Sequence, residues 1–167
     1  MSDVRIRPAE LGDLARLTEI YNHYVRTSPI TFDIDEVQTQ NRAGWFENHS
    51  DRARHRLLVA DDGKQVVGYA GTGSYRSKGA YDTTVETTIY LAPDKVGERI
   101  GTRLYTVLFD AIANQDIQRI VAGITLPNDA SVKLHERFGF TRVGVFTECG
   151  RKFGRYWDVL WMERGRE

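Results

Sequence analysis

Apolar residues recur at two spacings along this chain of 167 residues, and the switches between them mark its elements. Val4, Arg5, Ile6 and Arg7 alternate as a strand does, until Pro8 ends the run. Leu11 to Val25 then takes helical spacing through Leu14, Leu17, Ile20, Tyr21 and Tyr24. Past a loop holding Pro29 and Phe32, Asn41 to Asn48 predicts a polar helical stretch. Arg56 to Ala60 and Val66 to Thr72 flank Asp61-Asp62-Gly63-Lys64, a hairpin turn signal that makes them two antiparallel strands. Thr83 to Leu91 is rich in β-branched residues and stops before Pro93, so it adds a third strand to that meander. Behind Gly101 an amphipathic helix runs through Leu104, Val107, Leu108, Ala111 and Ile112 and ends near Asn114. Arg119 to Thr125 reads as a buried strand, and Asn128-Asp129 caps a helix to Arg137 that Gly139 closes. Strands at Thr141 to Phe146 and Tyr156 to Glu163 complete the chain. Strand, helices, meander, helix, strand, helix and two strands predict an α/β fold, a mixed and mostly antiparallel sheet flanked by helices.

Composition narrows the function classes. The length suits one domain spanning 1–167, able to bury a core without disulfides or structural metal. No apolar run approaches the roughly 18 residues of a membrane span. Met1 to Glu10 carries Asp3, Arg5, Arg7 and Glu10 without an apolar stretch behind them, unlike a secretory leader, so a cytoplasmic location is expected. The single cysteine, Cys149, has no internal disulfide partner, and no Cys/His cluster has metal-ligand spacing. With 23 basic and 23 acidic side chains, no overall field selects nucleic acid or an anionic membrane, and any partner must be recognised at a local site.

Candidate chemistry gathers around the third strand of the meander. Ala92 to Thr102 joins it to the following helix through Gly97 and Gly101, the strand–loop–helix geometry in which free backbone N–H groups and a helix dipole bind phosphate. Neither a Walker lysine nor a G-x-G-x-x-G accompanies it, so ATP and NAD are disfavoured. Glu86 interrupts an otherwise neutral strand, where burial would raise its pKa and make it a better base. Pattern alone equally allows a solvent-facing glutamate. His135 lies on the helix behind Asn128, where a lone histidine is ordinarily surface or satisfied core. Tyr75 to Tyr81 sets Arg76 and Lys78 among aromatics on one loop, suited to an anionic amino acid or simply to solvent.

The loop with Val96, Arg99 and Gly101 resembles the pyrophosphate loop of the GNAT superfamily of N-acetyltransferases, whose usual pattern is Gln/Arg-x-x-Gly-x-Gly/Ala. Only Gly101 matches; Val96 replaces the Gln/Arg and Arg99 the first glycine. Four further segments look like those of the phosphinothricin acetyltransferase subfamily: Ala80 to Glu86, Leu126 to Val132, Leu134 to Phe140, and Lys152 to Asp158. Asn22-His23-Tyr24 and Thr31-Phe32 resemble its N-terminal segments, so the likeness spans nearly the whole length. The resemblance implies a GNAT-like fold, acetyl-CoA as co-substrate, no metal, and a homodimer with sites near its interface, Phe146 and the Trp157-to-Trp161 strand being core or subunit face. It implies Glu86 as general base. His135 stands where many relatives carry a tyrosine acid, either protonating the thiolate or holding substrate. Main-chain groups around Ile89, Tyr90 and Leu91 would pair with pantetheine as an added strand. Gly97, Glu98, Arg99, Ile100, Gly101 and Thr102 would meet the pyrophosphate, with Asn128 adding its amide. Phe32, Arg76, Lys78, Tyr81 and Glu86 would line an acceptor pocket for phosphinothricin, methionine sulfoximine or another glutamate-like amino acid.

Two other classes share such a fold. A non-catalytic acyl-CoA-binding module would explain a bulky Arg99 at a glycine position, though Glu86 and His135 both remain. A protein or peptide acetylase needs a groove that admits a chain, which the compact cationic loop disfavours. Arg99 itself is expected at a helix start with negative φ, its guanidinium free to meet a phosphate.

Overall fold

The computed structural model describes residues 4–49 and 53–166. Arg5–Pro8 is β1, and its Arg7 ties the entry of the first helix to the sheet by ion pairs to Asp13 at 2.7 Å and Asp61 at 3.1 Å. Helix α1, Leu14–Thr27, follows a 3-10 turn and buries Leu14, Leu17, Ile20 and Val25 along one stripe. Asn22 on that helix brackets Val37, donating to its carbonyl at 2.9 Å and accepting from its N–H at 3.0 Å. That bracket fixes the long loop after α1. The helix expected over Asn41 to Asn48 is shorter, α2 at Ala43–Glu47, entered through a 3-10 turn at Thr39–Arg42.

Strands β2 (Leu57–Asp61) and β3 (Val66–Ser74) close around Gly63, whose φ of 84° only glycine adopts at no cost. β4 is Thr84–Leu91, α3 Ile100–Ile112, β5 Arg119–Thr125 and α4 Asp129–Arg137. The last two strands are longer than their apolar patterns suggest: β6 is Thr141–Lys152 and β7 Arg155–Gly165. Phe153 and Gly154 join them with φ of 52° and 74°, the two left-handed residues of a tight hairpin turn. Polar residues such as Glu148 and Arg151 hid this extension, because an exposed edge strand needs no apolar alternation.

Seven strands form one sheet in the order β1-β2-β3-β4-β5-β7-β6. All neighbours are antiparallel except β4 and β5, with α3 connecting that parallel pair. One face packs against α3 and α4 through Leu104, Leu108, Ile120 and Phe140. The other face packs Tyr69 and Tyr90 against α1 and Trp45 of α2. This is the mixed, mostly antiparallel architecture that the pattern predicts.

Candidate active site

The sheet opens at its centre. β4 and β5 pair only at Thr84 with Arg119, Val85 with Ile120 and Glu86 with Val121. Beyond Glu86 the two strands bound a groove of about 730 Å³, with Thr87 to Leu91 along one wall and Ala122 to Thr125 along the other. Ala92 donates its N–H to Val67 of β3 at 2.8 Å, and strand backbone groups alternate sides. The N–H and C=O of Ile89 and Leu91 therefore face the groove, an edge without a strand partner onto which an extended ligand can add. Tyr24 reaches the same edge, donating to the Leu91 carbonyl at 2.6 Å.

At the groove's end stands the loop before α3. Gly97 has φ of 95° and Arg99 is left-handed at φ 62°, ψ 12°. The expectation of a helical Arg99 with negative φ is thus overturned. Arg99 is the N-cap, outside the helix, and its left-handed backbone turns the chain into α3, whose first N–H groups have no partner within the helix and are free to bind an anion. Glycine meets that demand without cost; a non-glycine residue in this region costs about 1–2 kcal/mol. Gly101 answers a different demand: a Cβ there would stand 3.3 Å from Leu134 and 3.5 Å from Ile89, so its absence lets α3 sit close to α4 and β4. Ile100, Thr102 and Asn128 also line the groove, and the Asn128 side chain caps α4 by accepting from the Ser131 N–H at 3.2 Å. Glu98 is absent from the groove wall; its carboxylate faces Lys95 at 3.9 Å.

Glu86 is the hinge of the site. It lies on the face of β4 opposite Val85 and Thr87 and lines both this groove and a second cavity, of about 700 Å³, under α1 and α2. Burial pushes its carboxyl pKa up, and the nearby Arg76 guanidinium offsets part of that. His135 is 3% exposed, and both its ring nitrogens are engaged. The Ser131 carbonyl only accepts, so Nδ1 at 2.8 Å must donate to it, which leaves Nε2 to accept from the Tyr105 hydroxyl at 2.9 Å. Burial lowers the imidazole pKa and raises that of Tyr105, so each favours its neutral form. Tyr105 lines the groove from α3, and sequence reasoning missed it because its position in the helical stripe is that of a core residue.

Of the five residues expected to line an acceptor pocket, Glu86 lines both cavities, while Phe32, Arg76, Lys78 and Tyr81 lie outside the walls of both. Phe32 packs on the β6–β7 hairpin: a Cβ on Gly150 would stand 2.1 Å from its ring. Lys152 holds the same loop, its buried ammonium donating to the Thr31 carbonyl at 2.8 Å. Arg76 stacks over Tyr75 at 4.9 Å and lies 6.0 Å from the Tyr81 ring, at the rim beyond Glu86. Lys78 is exposed, its carbonyl accepting the Tyr81 N–H at 2.9 Å. Among the described residues no group of three or more His, Cys, Asp or Glu has metal-site geometry, and no helix is long and apolar enough to cross a membrane.

Known proteins share this fold. The family model for the acetyltransferase (GNAT) domain matches residues 6–161. The chain is 50% identical to a phosphinothricin N-acetyltransferase of Streptomyces coelicolor, over 98% of this chain and 96% of that one. It is 35% identical to an L-methionine sulfoximine/L-methionine sulfone acetyltransferase of Salmonella typhimurium, over 95% and 92%. A GNAT superfamily phosphinothricin acetyltransferase of Sinorhizobium meliloti, solved with acetyl-CoA, superposes with a TM-score of 0.92 at 29% identity, covering 99% of this chain and 89% of that one. With a family model over residues 6–161 and relatives at this identity and coverage, the chain belongs to the GNAT family of acetyltransferases.

Proposed function

We propose that this chain, working as a single domain, transfers the acetyl group of acetyl-CoA to the α-amino group of a small glutamate-like amino acid, the class that includes phosphinothricin and methionine sulfoximine. The observation that carries the reading is Glu86, one carboxylate shared by the groove and the second cavity. The residues present fit acetyl-CoA: a free strand edge at Ile89 and Leu91 for its amides, and the turn from Gly97 to Thr102 for its pyrophosphate. When bound, that co-substrate supplies an activated thioester. Glu86, with its raised pKa, takes a proton from the incoming ammonium, leaving a nucleophilic amine facing the groove.

Neutral Tyr105 and neutral His135 do not supply a free proton. A phenol whose pKa is raised is a poor acid toward a thiolate, and Nε2 carries no proton while Nδ1 donates to Ser131. The Tyr105 hydroxyl instead turns from Nε2 to the charge developing on the leaving sulfur, and His135 is its positioning residue. The attacking nitrogen, made acidic as its bond to the acetyl carbon forms, passes its remaining proton to the sulfur as the carbon–sulfur bond breaks, so the products are the N-acetyl amino acid and the coenzyme A thiol. A thiol-release assay with acetyl-CoA and a panel of amino acids tests the whole reading. Release with phosphinothricin or methionine sulfoximine is expected; release with none of the panel overturns it.

Arg76, at the rim, and Lys78, exposed on the same loop, attract the α-carboxylate. Their loss raises KM for amino acids by several-fold, a rim-charge effect, and leaves simple amines without a carboxylate unaffected. Equal effects on both would make the loop plain solvated surface. Arg99→Gly separates two readings of the phosphate loop. Relief of left-handed strain raises the melting temperature by a few degrees, while loss of the guanidinium weakens acetyl-CoA binding modestly and reduces its salt sensitivity. Tighter binding by Arg99→Gly would mean instead that the arginine obstructs the loop, as in a non-catalytic module. The exposed apolar residues Val143, Val145, Phe146, Phe153 and Tyr156 on β6, its turn and β7 support a homodimer, checked by sedimentation. Dependence on acetyl-CoA supports a cytoplasmic setting.

A further inference from the structure

The second cavity contains polar groups that the acetyl-transfer reading leaves unused. Arg42 lines it from the turn before α2 and is 9% exposed. Its guanidinium sits 4.0 Å from the Trp45 ring centre, 4.8 Å from that of Tyr21 and 5.9 Å from that of Tyr69. Its hydrogen bond is a long one, 3.4 Å to the Leu17 carbonyl, and among the described residues no carboxylate forms an ion pair with it. Asp33 lines the same cavity but accepts from the Tyr21 hydroxyl at 2.7 Å. Tyr69, fully buried on β3, presents a hydroxyl that makes no well-formed hydrogen bond; burial raises its pKa, and the nearby Arg42 guanidinium offsets part of that. A buried cation without an anion and a buried hydroxyl without a partner each cost free energy, and they face one space.

Along β4 the cavity runs from Glu86 past Thr88 to Tyr90, whose ring touches those of Tyr21 and Tyr69. Four residues of strand span about 13 Å between Cα atoms, and the side chains of Glu86 and Arg42 shorten the gap. A compact group bonded directly to the α-carbon would stay beside Glu86. The distal end of a glutamate-like side chain reaches deeper.

We infer that Arg42 and the Tyr69 hydroxyl form the specificity site for an oxyanion at the distal end of the acceptor's side chain. The site rests on the reading of Glu86 as the point where the amine is held. The bound oxyanion accepts from the guanidinium and the hydroxyl together, so a distal phosphinate or carboxylate is favoured over a neutral or apolar end. Tyr69→Phe removes one oxygen atom that has no partner in the fold, so the variant remains folded.

Three acceptors decide the matter: phosphinothricin with a distal anion, methionine sulfone with neutral distal oxygens, and norleucine with none. For Tyr69→Phe, KM for phosphinothricin rises about tenfold with kcat nearly unchanged, while KM for norleucine stays the same. For Arg42→Gln the rise for phosphinothricin reaches about thirtyfold or more, and Arg42→Lys recovers part of it. Binding is read separately, as the rise in melting temperature that phosphinothricin produces without acetyl-CoA. Wild type shows the rise and Tyr69→Phe a much smaller one. Equal changes in KM across the three acceptors, or an undiminished melting shift in Tyr69→Phe, overturns the inference while leaving acetyl transfer intact. Failure of wild type to acetylate any acceptor overturns the functional reading instead, and the melting shifts still decide whether this site takes an anion.

Discussion

Glu86→Gln lowers kcat by about 10²-fold or more while acetyl-CoA binds as before, because a positioned base is worth that much and the amide cannot accept the ammonium proton. The pH profile carries the second half of the expectation. Burial raises the Glu86 pKa, so wild-type kcat/KM falls as pH drops through a value above the usual carboxylate range, and Glu86→Gln lacks that acid limb. Stability moves the opposite way. A carboxyl whose folded pKa lies above its unfolded value binds more protons in the native state across that window. Folding stability therefore declines as pH rises from the unfolded to the folded pKa, and Glu86→Gln escapes the penalty above it. A variant that is slow yet no less stable at neutral pH is the signature of a strained catalytic carboxylate. Unchanged turnover across the pH range would remove Glu86 from the mechanism, and a fall in melting temperature at neutral pH would contradict its burial cost.

Tyr105→Phe lowers kcat by roughly 10²-fold, the cost of one preorganised donor aimed at developing negative charge. It also destabilises the fold by about 1–3 kcal/mol, because the buried Nε2 of His135 loses its donor. The alkaline side of the pH profile separates hydrogen-bond donation from acid catalysis. Both groups stay neutral through the working range, so wild type and Tyr105→Phe share the same alkaline behaviour at different heights. An alkaline limb present in wild type and absent in Tyr105→Phe would show that the pair acts as a general acid after all. His135→Asn separates positioning from proton transfer: kcat falls while the shape of the profile is retained.

Much of this protein is legible in its residue order, for local reasons. Leu14, Leu17 and Ile20 repeat at the helical period whatever they pack against, and Asp62-Gly63 asks for a tight turn in any setting. The Asn128 cap is equally local, since its partner is the N–H three residues on. Glu86 was visible as a charge within a neutral strand, and the loop before α3 as glycines between strand and helix. The hidden features depend on residues far apart in the chain. The left-handed Arg99 follows from how the loop turns from β4 into α3, a demand with no mark in the side-chain pattern. Tyr105 and Tyr69 sit at apolar-stripe positions, and only the packing of α3 against α4, or of α2 over β3, decides whether a phenol there ends on a histidine or on nothing. The split between β4 and β5 is tertiary as well, because pairing that ends after Glu86 is a matter of how two strands diverge across the sheet. Sequence determined the elements and singled out the carboxylate on β4, since propensity and periodicity act over a few residues. Tertiary structure alone decided which groups share a cavity, because burial and approach are set by partners far along the chain, such as those 30 and 121 positions apart.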